Sequence, residues 1–265
     1  MLPNNRAISL SHWREGDIED ISKIVASTAV VMLKASEGIR IASQKIELYA
    51  KPSPDDKNKN FWVQYSKQFI EEGMESLMPE MVLIGDQGRA RNPEDQLANF
   101  KNVLNQSAPE VKNKLGPAVV NCENDQNPPS ARHLLGVLLG LQQNGGVYAI
   151  LKIRPKQLVT IYNNANTEEE KSQLKTLVPE KVPLWLTRWN MKEEPDVTKL
   201  KEIFGEHTDY VFHEMSKDIE VPGIKGGTLY SEYRGTSVQL SNFQERWLAP
   251  VLASSLGNAQ TRFTY

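Results

Sequence analysis

The sequence predicts an α/β protein built as one irregular TIM-like (β/α) barrel. Short apolar runs rich in β-branched residues recur along the chain and alternate with segments of helical periodicity, the pattern of a parallel sheet wrapped by helices. Several of these runs end in carboxylates or glycines, as parallel strands do where they deliver side chains to a working face. No linker rich in Gly, Pro or Ser divides the 265 residues, a length that suits one large α/β unit.

The elements follow in order. Residues 6–10 are the first expected strand. Ser11 to Asp17 is a polar turn carrying Trp13, and Asp17 is the expected cap of a helix over 18–27 with Ile18, Ile21, Ile24 and Val25 on one face. Residues 29–34 are a buried strand, and Ala35-Ser36-Glu37-Gly38 reads as a polar loop. Residues 50–60 are loop by composition. Phe61, Tyr65, Phe69 and Ile70 mark a helix over 61–73, closed by Gly73. Residues 81–84 are a third strand, ending in Gly85-Asp86. Asn92-Pro93 opens a helix to about residue 106. Residues 117–121 form the fourth strand, which delivers Glu123 at its end and runs into the polar stretch 124–129.

An apolar helix over 130–144, closed by Gly145-Gly146, leads to strand five at 147–153. A polar helix covers 167–177. Strand six with its loop is 183–189, a short helix is 197–204, and strand seven is 210–215. Residues 221–227 turn the chain into a last strand at 228–233. The barrel is expected over 1–235. Residues 236–265 are a tail with one helix at 243–252, packed back on the barrel or docking a partner.

Composition narrows the function classes. A net charge of −2 offers no basic field for nucleic acid. A single cysteine, Cys122, rules out an internal disulfide framework and a cysteine-based zinc site. His12, His133, His207 and His213 show no ligand spacing, so neither a metal nor an organic cofactor is implied. Residues 1–6 contain no apolar signal core, so synthesis in the cytoplasm without a signal peptide is expected, with release or delivery outside by another route left open. No apolar run reaches membrane-spanning length.

The order of landmarks resembles glycoside hydrolase family 25, the lysozyme-like muramidases. Residues 7–18 (AISLSHWREGDI) resemble that family's opening G-I-D-V-S-x-W-Q-G-x-I. Residues 33–38 (LKASEG) are similar to I-K-A-[TS]-E-G, and 117–123 stand where the family has P-x-x-D-x-E. Residues 183–189 (PLWLTRW) resemble P-L-W-[IL]-A-[RH]-[YW], and Phe212 to Ser216 with 221–224 (VPGI) resemble F-W-Q-Y-S…V-P-G-I. The likeness spans about residues 7–235. It implies a barrel that acts on or binds peptidoglycan-like β-1,4-linked amino sugars, with Glu123 as acid.

The departures fall on the chemistry. Ser9, Asn121 and Leu229 occupy positions where the family carries Asp, leaving Glu123 alone of that carboxylate set. Glycosidic cleavage ordinarily uses two carboxyl groups, one giving a proton and one stabilising or attacking the sugar cation. Asn121 can hydrogen-bond an acetamido group but supplies no charge. Glu214 stands where the family has Gln. It reads as a relocated second carboxylate, or as a solvated charge or a partner of His213. Asp86 lies at the end of the third strand, and Asp125 lies two residues past Glu123.

Trp13, Trp189, Arg188, Ser9 and Asp86 are the candidate sugar contacts, with Trp185 assigned to the core. Cys122 is expected to face away from Asn121 and Glu123 by strand alternation. Weak or absent hydrolysis is expected, with a catalytically inactive glycan-binding barrel, or a structural docking module with a protein assembly partner, as the alternatives.

Overall fold

The structure is a computed structural model of the chain. It describes residues 6–11, 16–38, 40–41, 61–85, 92–123, 128–142, 149–178, 182–187, 196–205 and 210–234. The elements in order are β1 (Arg6–Leu10), α1 (Ile21–Ser27), β2 (Val30–Glu37), β3 (Arg40–Ile41), α2 (Phe61–Glu71), β4 (Leu77–Val82), α3 (Pro93–Asn105), α4 (Pro109–Lys112) and β5 (Ala118–Asn121). They continue with α5 (Ala131–Gln142), β6 (Ala149–Ile153), α6 (Pro155–Asn163), α7 (Glu168–Leu177), β7 (Leu184–Leu186), α8 (Thr198–Phe204), β8 (Tyr210–Glu220) and β9 (Gly227–Tyr233).

The strands form one closed barrel. The hydrogen-bonded order is β1-β9-β8-β7-β6-β5-β4-β2, and β1 pairs with β2 to close the ring. All contacts from β1 through β2, β4, β5, β6, β7 to β8 are parallel. β9 runs antiparallel to both β8 and β1, which makes the barrel irregular. β3 is a two-residue strand on the end of β2 and lies outside the ring.

Period-2 alternation sorts each strand into an outer and an inner face. Outward residues such as Ile8, Leu10, Val31, Val120 and Leu151 join the helices in the larger apolar core. Inward residues form a second, smaller core of Ala7, Val30, Met32, Met78, Val119, Ile150, Trp185, Phe212 and Tyr233. These fill the lower half of the barrel. Trp185 stacks on Phe212 at 4.4 Å between ring centroids and donates its indole N–H to Ser231 Oγ at 3.1 Å. Trp185 is therefore core, as expected.

Several boundaries differ from expectation. The cap of α1 is Asp20, whose side chain accepts from Lys23 N at 3.2 Å. Asp17 precedes Ile18, which is committed to a bridge with Ile224 and cannot start a helix. Residues 35–37 are not a loop but the end of β2, where a bulge between Lys34 and Ser36 lets the strand keep pairing with β4. The third expected strand begins four residues earlier, as β4, because Pro79 and Glu80 interrupt the apolar run without interrupting the ladder. β8 continues to Glu220 because β9 pairs along it. Helices α4 and α6 and strand β3 were not expected. The helix at 243–252, the whole tail 236–265 and Gly145-Gly146 lie outside the described residues.

Candidate functional site

The inner face carries a sharp change of chemistry. Two residues beyond each floor residue, alternation brings the next side chain to the same face. Beyond Ala7, Met32, Met78, Val119, Ile150, Trp185 and Phe212 come Ser9, Lys34, Glu80, Asn121, Lys152, Thr187 and Glu214. An apolar floor is thus topped by a polar layer at the C-terminal mouth of the parallel strands, the end where such barrels place their chemistry.

Lys152 is the centre of that layer. Its side chain is 1% exposed, and its Nζ lies 3.4 Å from Glu123 Oε2 and 3.2 Å from Glu214 Oε2. The ammonium also stands 5.6 Å from the centroid of the Trp185 ring, which forms its floor. Burial works against the charge, but the negative charges of Glu214, Glu123 and Glu80 outweigh it and push the lysine well above its usual range. Lys152 is an ammonium at any ordinary pH.

Glu214 responds in the opposite sense. Its side chain is 8% exposed, and burial together with the charges of Glu123 and Glu80 raises its carboxyl despite Lys152. Glu214 is therefore neither a solvated strand-end charge nor a partner of His213. His213 follows the opposite parity, is buried on the outer face, and meets the Tyr210 ring edge-on at 6.0 Å.

Asn121 is committed as well. Its Nδ2 donates to Glu80 Oε1 at 2.7 Å, and its Oδ1 accepts from the backbone N–H of Glu123 at 2.9 Å. The amide thus fixes both the buried Glu80 and the backbone that presents Glu123. Cys122 packs outward and fully buried as expected, its thiol pushed far up by burial and by the Glu123 charge. Ser9 and Leu229 are paired neighbours on β1 and β9, both half-buried on the inner face at the mouth.

The structure thus brings Asn121, Glu123, Glu214 and Ser9 to one mouth. Trp13, Asp86, Arg188 and Trp189, with Asp125 and His12, lie outside the described residues. Among the described residues no group of three His, Cys, Asp or Glu side chains is placed to hold a metal ion. Sequence reasoning missed Lys152 and Glu80. Both were legible in principle: within 149–153 (AILKI) alternation puts Lys152 on the face of Ile150, and within 77–82 (LMPEMV) it puts Glu80 on the face of Met78.

No family model matches the sequence, and no curated protein does. Solved structures do match the fold. A bacterial lysozyme from Streptomyces coelicolor superposes with a TM-score of 0.62 at 13% identity, over 92% of this chain and 98% of that one. A glycosyl hydrolase 25 of Streptococcus pneumoniae, described as a virulence factor participating in host cell invasion, gives 0.63 at 8% identity, over 91% and 92%. The modular autolysin LytC from Streptococcus pneumoniae, solved with a synthetic peptidoglycan ligand, gives 0.54 at 14% identity, over 86% of this chain and 46% of that one. At these identities the likeness is one of fold: the barrel is that of the family-25 lysozymes and muramidases, as the sequence motifs suggested.

Proposed function

We propose that this chain is a lysozyme-like barrel that engages peptidoglycan-like amino-sugar glycans at its C-terminal mouth and hydrolyses them weakly or not at all. The observation that carries this is the ion-pair cluster on Lys152. Glu123 Oε2 stands 3.4 Å from the buried Lys152 ammonium, so its carboxyl is engaged by a cation of the protein instead of a sugar oxygen. Glu123 is thereby occupied in the role that a general acid would need it for. Loss of one general acid costs about 10²–10⁴-fold in rate. Positions 9, 121 and 229, where the resembled family carries Asp, hold Ser, Asn and Leu, so those three charges cannot orient or stabilise the reacting sugar.

Glycan binding is supported by the barrel fold, by its polar mouth, and by the synthetic peptidoglycan ligand of one structural neighbour. Ser9, Asn121, Glu123 and Glu214 are the described residues we assign to this contact. Trp13, Asp86, Arg188 and Trp189 are proposed with them on their sequence positions alone.

The test is co-sedimentation of the full chain with insoluble purified peptidoglycan, alongside the release of reducing ends. Co-sedimentation with little or no release is expected. Release at the rate of an efficient muramidase, abolished by Glu123→Gln, would overturn the loss of hydrolysis. Absence of co-sedimentation would overturn the glycan and leave the barrel as a structural or docking module for a protein partner.

A further inference from the structure

We propose that Lys152 is a built-in restraint on a latent pair of catalytic carboxyls, Glu123 and Glu214. The inference rests on the glycan reading above and adds to it a second carboxyl and the device that holds both in check.

Glu123 and Glu214 come from β5 and β8, which are separated around the ring by β6 and β7. Each carboxylate nevertheless reaches the same nitrogen, at 3.4 and 3.2 Å. Two carboxyl groups converging on one gap is the arrangement that a glycosidase uses to flank the scissile bond. The lysine sits between the two groups like the cationic sugar that such a pair is built to stabilise.

Lys152 carries no chemistry of its own here. Its nucleophilic form is suppressed by the surrounding carboxylates, and its cation neutralises the pair. Replacing it with a neutral side chain forces a different division of charge. Two carboxylates facing each other in a buried mouth cannot both ionise, so one retains a proton. Glu214, the more buried, keeps the proton, and Glu123, at 17% exposure, keeps the charge. Glu214 then protonates the glycosidic oxygen as the bond to the anomeric carbon breaks, and Glu123 bonds to that carbon. Water next adds to the carbon, gives its proton to Glu214 and releases Glu123.

The test compares wild type with Lys152→Met on a soluble β-1,4-linked N-acetylglucosamine oligomer, reading reducing ends from pH 4 to 8. A gain of about a hundred-fold, on the scale of one general acid, is expected, with a bell-shaped pH profile. Lys152→Arg, which keeps the cation, should show no gain. Adding Glu214→Gln or Glu123→Gln to Lys152→Met should each erase it. If Lys152→Met does not fold, Lys152→Met with Glu80→Gln removes one cation and one anion together and takes its place. Folded variants that bind the oligomer without any gain would overturn the restraint while leaving the glycan reading intact. A gain that survives Glu214→Gln would overturn the pairing. No binding by wild type or variants would overturn both.

Discussion

Lys152 defines the residue scale. A buried ion cluster that loses the ammonium at its centre leaves uncompensated carboxylates in a site of low dielectric, at a cost of about 3–5 kcal/mol. Lys152→Met should lower stability by about that amount in urea titration at neutral pH. An unchanged midpoint would mean that the ammonium is not the partner these distances indicate. The pH dependence has a definite sign. The Glu214 carboxyl is raised from its ordinary 4.5 by burial and by neighbouring carboxylates. Its contribution to stability is therefore fully present below pH 4.5 and lost as pH rises through the raised value. Glu214→Gln removes that limb, so the stability of wild type relative to this variant should fall as pH rises above 4.5. The Lys152 contribution behaves likewise, present below 10.5 and lost only at strongly alkaline pH.

At the scale of elements, the turn at 221–224 is a joint. In the 221–224 turn (VPGI), the Gly223 carbonyl accepts from the N–H groups of Glu19 and Asp20 at 2.9 and 3.1 Å, tying the turn to the start of α1. Gly223 has φ +89°, and a Cβ there would collide with the Asp20 backbone carbonyl. Gly223→Ala thus meets both a left-handed backbone and a fixed obstacle. It should lower the melting temperature by several degrees, the response to about 1–3 kcal/mol. Asp20 makes α1 sensitive to acid: hydrogen bonds from Ser22 Oγ and from the Lys23 backbone hold its carboxyl at about 2. Its stabilising effect is present above 3.8 and lost as pH falls through about 2. The gap in melting temperature between wild type and Asp20→Ala should close over that interval. On the opposite side of the barrel, Gly136 of α5 lets the helix approach α3, since a Cβ there would stand 2.7 Å from the Pro93 ring. Gly136→Leu should cost about 1–3 kcal/mol by overpacking, read as a lower urea midpoint.

At the scale of the whole molecule, closure of the barrel is what converts strand alternation into a site. The ring gathers seven polar side chains above one apolar floor, although they come from seven separate strands or strand ends. That much of the fold was legible, because apolar runs such as 6–10, 29–34 and 117–121 are long and clean enough to mark buried strands. Glu123 was legible too, as a carboxylate where a buried strand must stop. Lys152 and Glu80 were hidden for a physical reason: each sits inside a strand whose neighbours are apolar, so periodicity records the strand and passes over the one charged inward position. Their meaning depends on partners 29 to 62 positions away in the chain, a relation that only closure of the sheet supplies. Glu214 stood at an ambiguous strand end until the pairing of β8 with β7 and β9 placed it on the inner face.

The most direct measurement is a crystal structure of the full chain soaked with a β-1,4-linked N-acetylglucosamine tetramer. An intact tetramer across the mouth, with Lys152 Nζ still against Glu123 and Glu214, is the result this account predicts. A cleaved product, with Lys152 turned away and Glu123 on the glycosidic oxygen, would contradict it.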